Sequence, residues 1–292
     1  MRLGNSGAFL RFGMKNCGVD DRFDSSTIRL AIMQIAVGSC GRALLLAVLG
    51  TSACEPGQRF SADREFDEVI AAEGATEVIL EFDVPVDVVG RARQDEVTVQ
   101  GVVTVTTSSQ AISDELAAGL EIESEISGNT LRLALRQPGD GAGTPFPDAT
   151  ISGPLDLTVP ADVDLVVREG GGRASVTAVR GNLDVRAIGT VVIQGAERNV
   201  TLRTEVGGAL VETTAAQGTL AEIDVGAGDV DVILPAVLSA RVTANFPNGI
   251  VVINHPALPP PLPGQTFYDN FNQSGLSRVR VTAANGNVRF RL

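Results

Sequence analysis

Glu222, Asp224, Asp229 and Asp231 fall in the run LAEIDVGAGDVDVIL, two carboxylate pairs at alternate positions of strand-like segments. Carboxylates gathered on one outer face can serve as acid and base on a glycosidic bond, so the run is compatible with a secreted carbohydrate-active enzyme. Alternation alone puts solvated carboxylates at the same positions, which favours contact over catalysis. Arg186, Arg203 and Arg241 occupy comparable polar positions and complete an outward ladder suited to a protein or glycan partner. Nucleophilic triads and zinc sites need histidine, and His255 stands alone beside Pro256, which reads as a loop histidine. Gly226 to Asp231 faintly resembles a calcium-binding nonapeptide, but one copy cannot build sites between successive turns. No glycine loop precedes a helix to cradle phosphate. Neither a catalytic residue, a metal nor a cofactor is expected.

The elements that would position these residues are short alternating strands broken by glycine. Leu165, Leu183, Leu202, Leu220 and Ala240 recur at intervals of 18, 19, 18 and 20 residues. Each interval holds two strand-like runs, such as Leu183, Val185 followed by Val191, Ile193. A strand-only period near 20 predicts an all-β chain wound as a single-strand-layered β-solenoid, parallel β-helix-like, in which no coil buries its apolar face without neighbours. Inward positions run from Leu155, Leu157 and Val159 through Val185, Leu202, Ile223 and Val242 to Val252. The pairs Asn248, Gly249 and Asn285, Gly286 would ordinarily mark hairpins, but the repeat makes them corners. The solenoid spans 151–292, interrupted by a stiff Pro-rich loop at 254–265, with Val279, Val281, Val288 and Phe290 as a final closing coil.

Residues 66–150 read as an N-terminal β-sheet cap over the open end of the coils, because bare sheet edges invite aggregation. Its strands are expected at Glu77 to Phe82, Val84 to Val89, Val97 to Thr106, Leu120 to Glu123 and Leu131 to Leu135. Ser113 and Gly119 bracket one helical turn, and Pro138 to Pro147 cannot hold a ladder.

Residues 1–53 form a leader and signal peptide, with Met33 the better start. Arg42, the apolar run Ala43 to Leu49 and small residues up to Cys54 describe a secretory signal too short to span a bilayer once mature. Thr51, Ser52, Ala53, Cys54 resembles a bacterial lipoprotein lipobox, although Thr51 stands where Leu or Val is usual. Val37, Gly38, Ser39, Cys40 is the alternative box, and plain secretion with Cys54 a bystander is the third reading. Cutting at Cys54 leaves no other thiol, so no disulfide can form and lipidation gives that cysteine a purpose. Residues 54–65 then form a lipid-anchored tether.

The chain carries a formal charge of -12, and Lys15 is its only lysine. Removal of residues 1–53 takes out six basic and three acidic residues, leaving 17 against 32. A field of that sign repels polyanions, which excludes nucleic acid as a partner and leaves the lipid anchor as the route to the membrane.

The run GNLDVRAIGTVVIQGAERNVTLRTEVGGALVETTAAQGTLAEIDVGAGDVDVILPA, followed by SARVTANFPNGIVVI, resembles the bacterial adhesin-like, head-domain-like β-solenoids of uncharacterised function, often found on lipoproteins. The shared motifs are Gly228, Asp229, Val230, Val232, Leu234, Pro235 and the Asn248, Gly249, Ile250 corner. The resemblance implies fold and a cell-surface or outer-membrane location, and it brings no reaction. It favours a non-enzymatic adhesin-like or scaffold lipoprotein. The carbohydrate-active enzyme and an accessory subunit of a membrane complex are the alternatives.

Overall fold

The computed structural model describes residues 59–138, 148–216, 218–271 and 277–292. The leader, Cys40, Cys54, residues 54–58 of the tether and residues 139–147 of the proline loop lie outside the described residues. Of the described residues 61% are strand and 4% helix, the strands lying in two sheets that do not close into a barrel.

The first strands are β1 (Phe60–Ala71), β2 (Glu77–Glu81), β3 (Val86–Arg91) and β4 (Glu96–Thr107), followed by helix α1 (Gln110–Ala118). Then come β5 (Glu121–Ser127), β6 (Thr130–Arg136), β7 (Thr150–Ser152) and β8 (Leu155–Pro160). β1 takes up six residues of the stretch read as tether, and it pairs antiparallel with β4 along its whole length. α1 packs against both strands. Its N-cap is Ser109, not Ser113, which is buried inside the helix and donates its hydroxyl to the Phe60 carbonyl at 2.9 Å. A buried hydroxyl needs such a partner, and this one fastens the helix to the edge strand. Gly119 is the C-cap, as expected.

Eight strands then alternate between the sheets. β9 (Asp164–Gly170), β11 (Leu183–Ala187), β13 (Val200–Val206) and β15 (Leu220–Ala227) lie in one sheet. β10 (Arg173–Thr177), β12 (Thr190–Ala196), β14 (Ala209–Thr213) and β16 (Val230–Ile233) lie in the other. Within each set neighbours pair in parallel. Valine, leucine and isoleucine at alternate positions of both sheets join one hydrophobic cluster, with polar residues pointing out. β-branched side chains suit that arrangement because they pack on a pleat with little loss of rotamer freedom. The inward assignment holds at every named position except Val252, which is half-buried. Val251 takes the buried place in its strand.

The phase of the repeat differs from the expectation. Leu183 pairs with Leu165 and with Val200, and Val200 pairs with Ala221, so the structural intervals are 18, 17 and 21 residues. Leu220 lies outside the register of buried positions and is 41% exposed.

The last strands are β17 (Ala240–Asn245), β18 (Val251–Asn254), β19 (Phe267–Phe271), β20 (Ser277–Asn285) and β21 (Val288–Arg291). The C-terminal pair does not close the sheets. β20 lies between β15 and β17, and β21 lies between β16 and β18. The same interleaving occurs at the other end, where β2 lies between β6 and β9, and β3 between β8 and β10. Residues 66–150 and 151–292 are therefore interlocked rather than successive. The residues 254–265 are tied down more firmly than a plain extended loop. Leu258 is buried, and Tyr268 donates its hydroxyl to the Pro259 carbonyl at 3.1 Å.

The turns at Gly226 to Asp229 and at Asn248, Gly249 join strands of different sheets and so are corners rather than hairpins. At one corner Gly172, Gly189, Gly207, Gly228, Gly286 and Gly249 follow one another in that spatial order. A Cβ on any of the last five would come within 2.7 Å of the backbone of the glycine before it. Only a residue without a side chain permits that approach.

Candidate functional site

The seven residues of the expected ladder do not share one surface. Arg186, Arg203, Glu222, Asp224 and Arg241 lie on the outer face of the sheet that contains β15, whereas Asp231 projects from β16 in the other sheet. Asp229 sits in the turn between them and accepts the Asn287 backbone N–H at 2.8 Å. The four carboxylates on which the enzyme alternative would depend are thus divided, because a corner separates β15 from β16. Asp231 meets Arg291 at 3.3 Å and Arg289 at 3.5 Å. Glu222 meets Arg280 at 3.5 Å. Among the described residues no group of three or more potential metal ligands converges.

His255 is not a free loop side chain. It is 4% exposed; its Nδ1 accepts the Ala257 N–H at 3.2 Å, and its Nε2 lies 2.9 Å from the Pro235 carbonyl. An acceptor at Nδ1 puts the proton on Nε2, so both ring nitrogens are used in joining the loop to the turn after β16.

Parallel register brings Arg186, Arg203 and Asp224 side by side across β11, β13 and β15. They border an open hollow of about 400 Å³. A better-defined groove lies further along the same face, over β15, β20, β17 and β19. It consists of two adjoining hollows of about 360 and 340 Å³ that share Glu222, Thr243, Phe267 and Arg280. Arg278 is the register partner of Leu220 on one side and of Arg241 on the other. Arg280 is likewise flanked by Glu222 and Thr243. Phe267, at the outer wall, is 51% exposed, while its neighbour Tyr268 turns inward against Phe290. Burial pushes the Tyr268 hydroxyl above its usual range.

Arg241 is fixed by a two-pronged contact with Asp269, at 3.0 Å from Nε and 2.6 Å from the second nitrogen. That hydrogen bonding, against a smaller opposing effect of burial and aided by the guanidinium charge, holds the Asp269 carboxyl below its usual 3.8. A carboxylate whose folded value is depressed adds stability above its unfolded value, near 3.9, and loses it as pH falls through the folded one. The β17–β19 clasp therefore weakens only in acid below about pH 4. An NMR titration should place the Asp269 midpoint below 3.8, and Arg241→Ala should return it upward. An unchanged midpoint in the variant would remove the clasp from the account.

Sequence reasoning named Arg241 and Glu222 but missed Phe267, Arg278 and Arg280. The alternation SRVRV does put both arginines on the polar face of one strand. Nothing local says that β20 lies beside β17.

No family model matches the chain, and no curated protein matches it. A solved structure of a candidate cell adhesion protein from Clostridium sporogenes ATCC 15579 aligns at TM-score 0.38 with 16% identity, over 78% of this chain and 99% of that one. A candidate adhesin from Bacteroides fragilis NCTC 9343 aligns at TM-score 0.23 with 8% identity, over 80% and 97%. Another from Parabacteroides merdae ATCC 43184 aligns at 0.24 with 9% identity, over 79% and 96%. TM-scores of this size leave fold and role to be argued from this chain's own residues.

Proposed function

We propose that the protein is a non-enzymatic, adhesin-like surface binding module. In this reading its body is a β-solenoid of two-strand coils, closed at one end by the antiparallel strands β1, β4 and β5. A lipid on Cys54 holds it at the cell surface or outer membrane, and the face over β15, β20, β17 and β19 meets a protein or glycan.

The observation that carries this reading is a charge polarity along the chain. Residues 59–138 hold 6 basic and 16 acidic residues, whereas residues 240–292 hold 5 basic and 1 acidic. Cys54 precedes Phe60 by six positions, so an anchor there keeps β1 within roughly 20 Å of the lipid. An acidic end held next to anionic headgroups is repelled from them. The basic end comprises β21 and β18, at the far end of their sheet from β1, and the groove strands β19, β17 and β20, at the far end of the other sheet from β5. In this reading it is the part presented outward.

Two measurements test this. The protein extracted from membranes should have the mass of residues 54–292 plus acyl groups, and Cys54→Ala should move it to the soluble fraction. Cells of the producing bacterium lacking the gene should lose adherence several-fold to a surface they normally colonise. An unmodified Cys54 refutes the anchor, and unchanged adherence refutes the binding role. Release of reducing ends from polysaccharide would instead support the enzyme reading.

A further inference from the structure

We infer that the groove over β15, β20, β17 and β19 takes a carboxylated sugar, a uronate or sialate unit of an acidic oligosaccharide. This rests on the binding-module reading and names the ligand class of its site.

Arg241 and Arg278 are register partners on adjacent parallel strands, about 4.8 Å apart. Like charges placed side by side on a sheet repel each other unless an anion lies between them. Asp269 answers Arg241 only. Arg280, two residues along, meets Glu222 at 3.5 Å, whereas Arg278 makes no ion pair among the described residues and is the open cation of the groove in a chain of strongly negative charge. A guanidinium fork matches a carboxylate, so a ligand carboxylate here would complete what the protein leaves open.

The rest of the groove selects what carries that carboxylate. Phe267 offers an exposed ring at the wall, the kind of platform on which the apolar face of a pyranose rests. Thr243 and Asn245 supply hydrogen-bonding groups of both senses. Glu222 and Asp224 border the same hollow and accept hydroxyl protons. They repel a densely charged phosphodiester or sulfated polymer, as does the net charge of the body. One carboxylate among many hydroxyls suits this mixture; a continuous polyanion does not. The volume is within the range of small-ligand sites, about 300–1,000 Å³.

Isothermal titration of residues 54–292 with an aldotriouronic acid (one glucuronate on two neutral sugars), a hyaluronan tetrasaccharide and sialyllactose should show binding of at least one. Maltotriose and inorganic phosphate should show none. Arg278→Ala and Phe267→Ala should each weaken binding tenfold or more at unchanged melting temperature, and Arg289→Ala, on the opposite sheet, should leave it intact. No binding by any of the three acidic sugars overturns the inference, as does full binding by Arg278→Ala or equal binding of maltotriose. Adherence that survives such a failure leaves the module standing with a different ligand. Sugar binding without any effect on adherence overturns the module reading alone.

Discussion

Deleting residues 277–292 should unfold far more of the protein than the segment removed. Among the described residues β20 is the only strand between β15 and β17, and β21 the only one between β16 and β18. Without them β18 has no partner strand, and β17 keeps only its antiparallel contact with β19. The deletion also removes Val279, Val281, Val288 and Phe290, all fully buried. At about 1.5–3 kcal/mol for each such side chain, the lost burial is comparable to the whole stability of an ordinary domain, about 5–15 kcal/mol. The truncated chain should be insoluble, or should melt at least 15 °C lower with residues 234–271 open to protease. Removing Leu292 alone, an exposed residue, should do nothing measurable. Phe290→Ala, the milder test, should cost about 3–5 kcal/mol. A truncated chain that keeps its melting temperature and its protection over β17 and β18 would show that the interleaved order is wrong.

That order marks the boundary of what the sequence discloses. Which residues face inward is a local property, set by strand alternation, and it reads correctly from Leu155 through Val242. It fails at β18, where VVIN is apolar at three consecutive positions and both phases fit. Which strand lies beside which is non-local. Gly207, Gly228 and Gly249 are evenly spaced by 21 residues, which suggests consecutive corners. In space Gly286 stands between the last two. The candidate groove inherits this limit: Arg241 was visible as an outward arginine, but its neighbours Arg278 and Phe267 come from strands more than 25 residues away that only the tertiary order places beside it. A second regularity was also hidden. Asp164, Asn182 and Asn199 bond in sequence across β9, β11 and β13, ending on the Leu220 N–H at 2.8 Å. Their spacing follows the structural period of 18 and 17 rather than the period first inferred from leucines.

The glycine column makes the second large effect. Gly228 has φ of +146°, and a Cβ there would lie 2.1 Å from the Gly207 carbonyl oxygen. Backbone meets backbone at that point, so no side chain can swing away to relieve the overlap, and the conformation itself is nearly confined to glycine. Gly228→Ala should therefore cost on the order of 3 kcal/mol or more. Gly286→Ala isolates the steric part, since its Cβ would fall 1.9 Å from the Gly228 oxygen with no positive φ to add strain. Gly218→Ala isolates the strain, because φ is +86° there and nothing lies within 4 Å; about 1–2 kcal/mol is expected. Urea melts of the three variants should rank Gly228→Ala as the most damaging and Gly218→Ala as the least. If Gly228→Ala proved no worse than Gly218→Ala, the corners would not be in contact, and the parallel register that brings Arg241, Arg278 and Glu222 onto one face would lose its support.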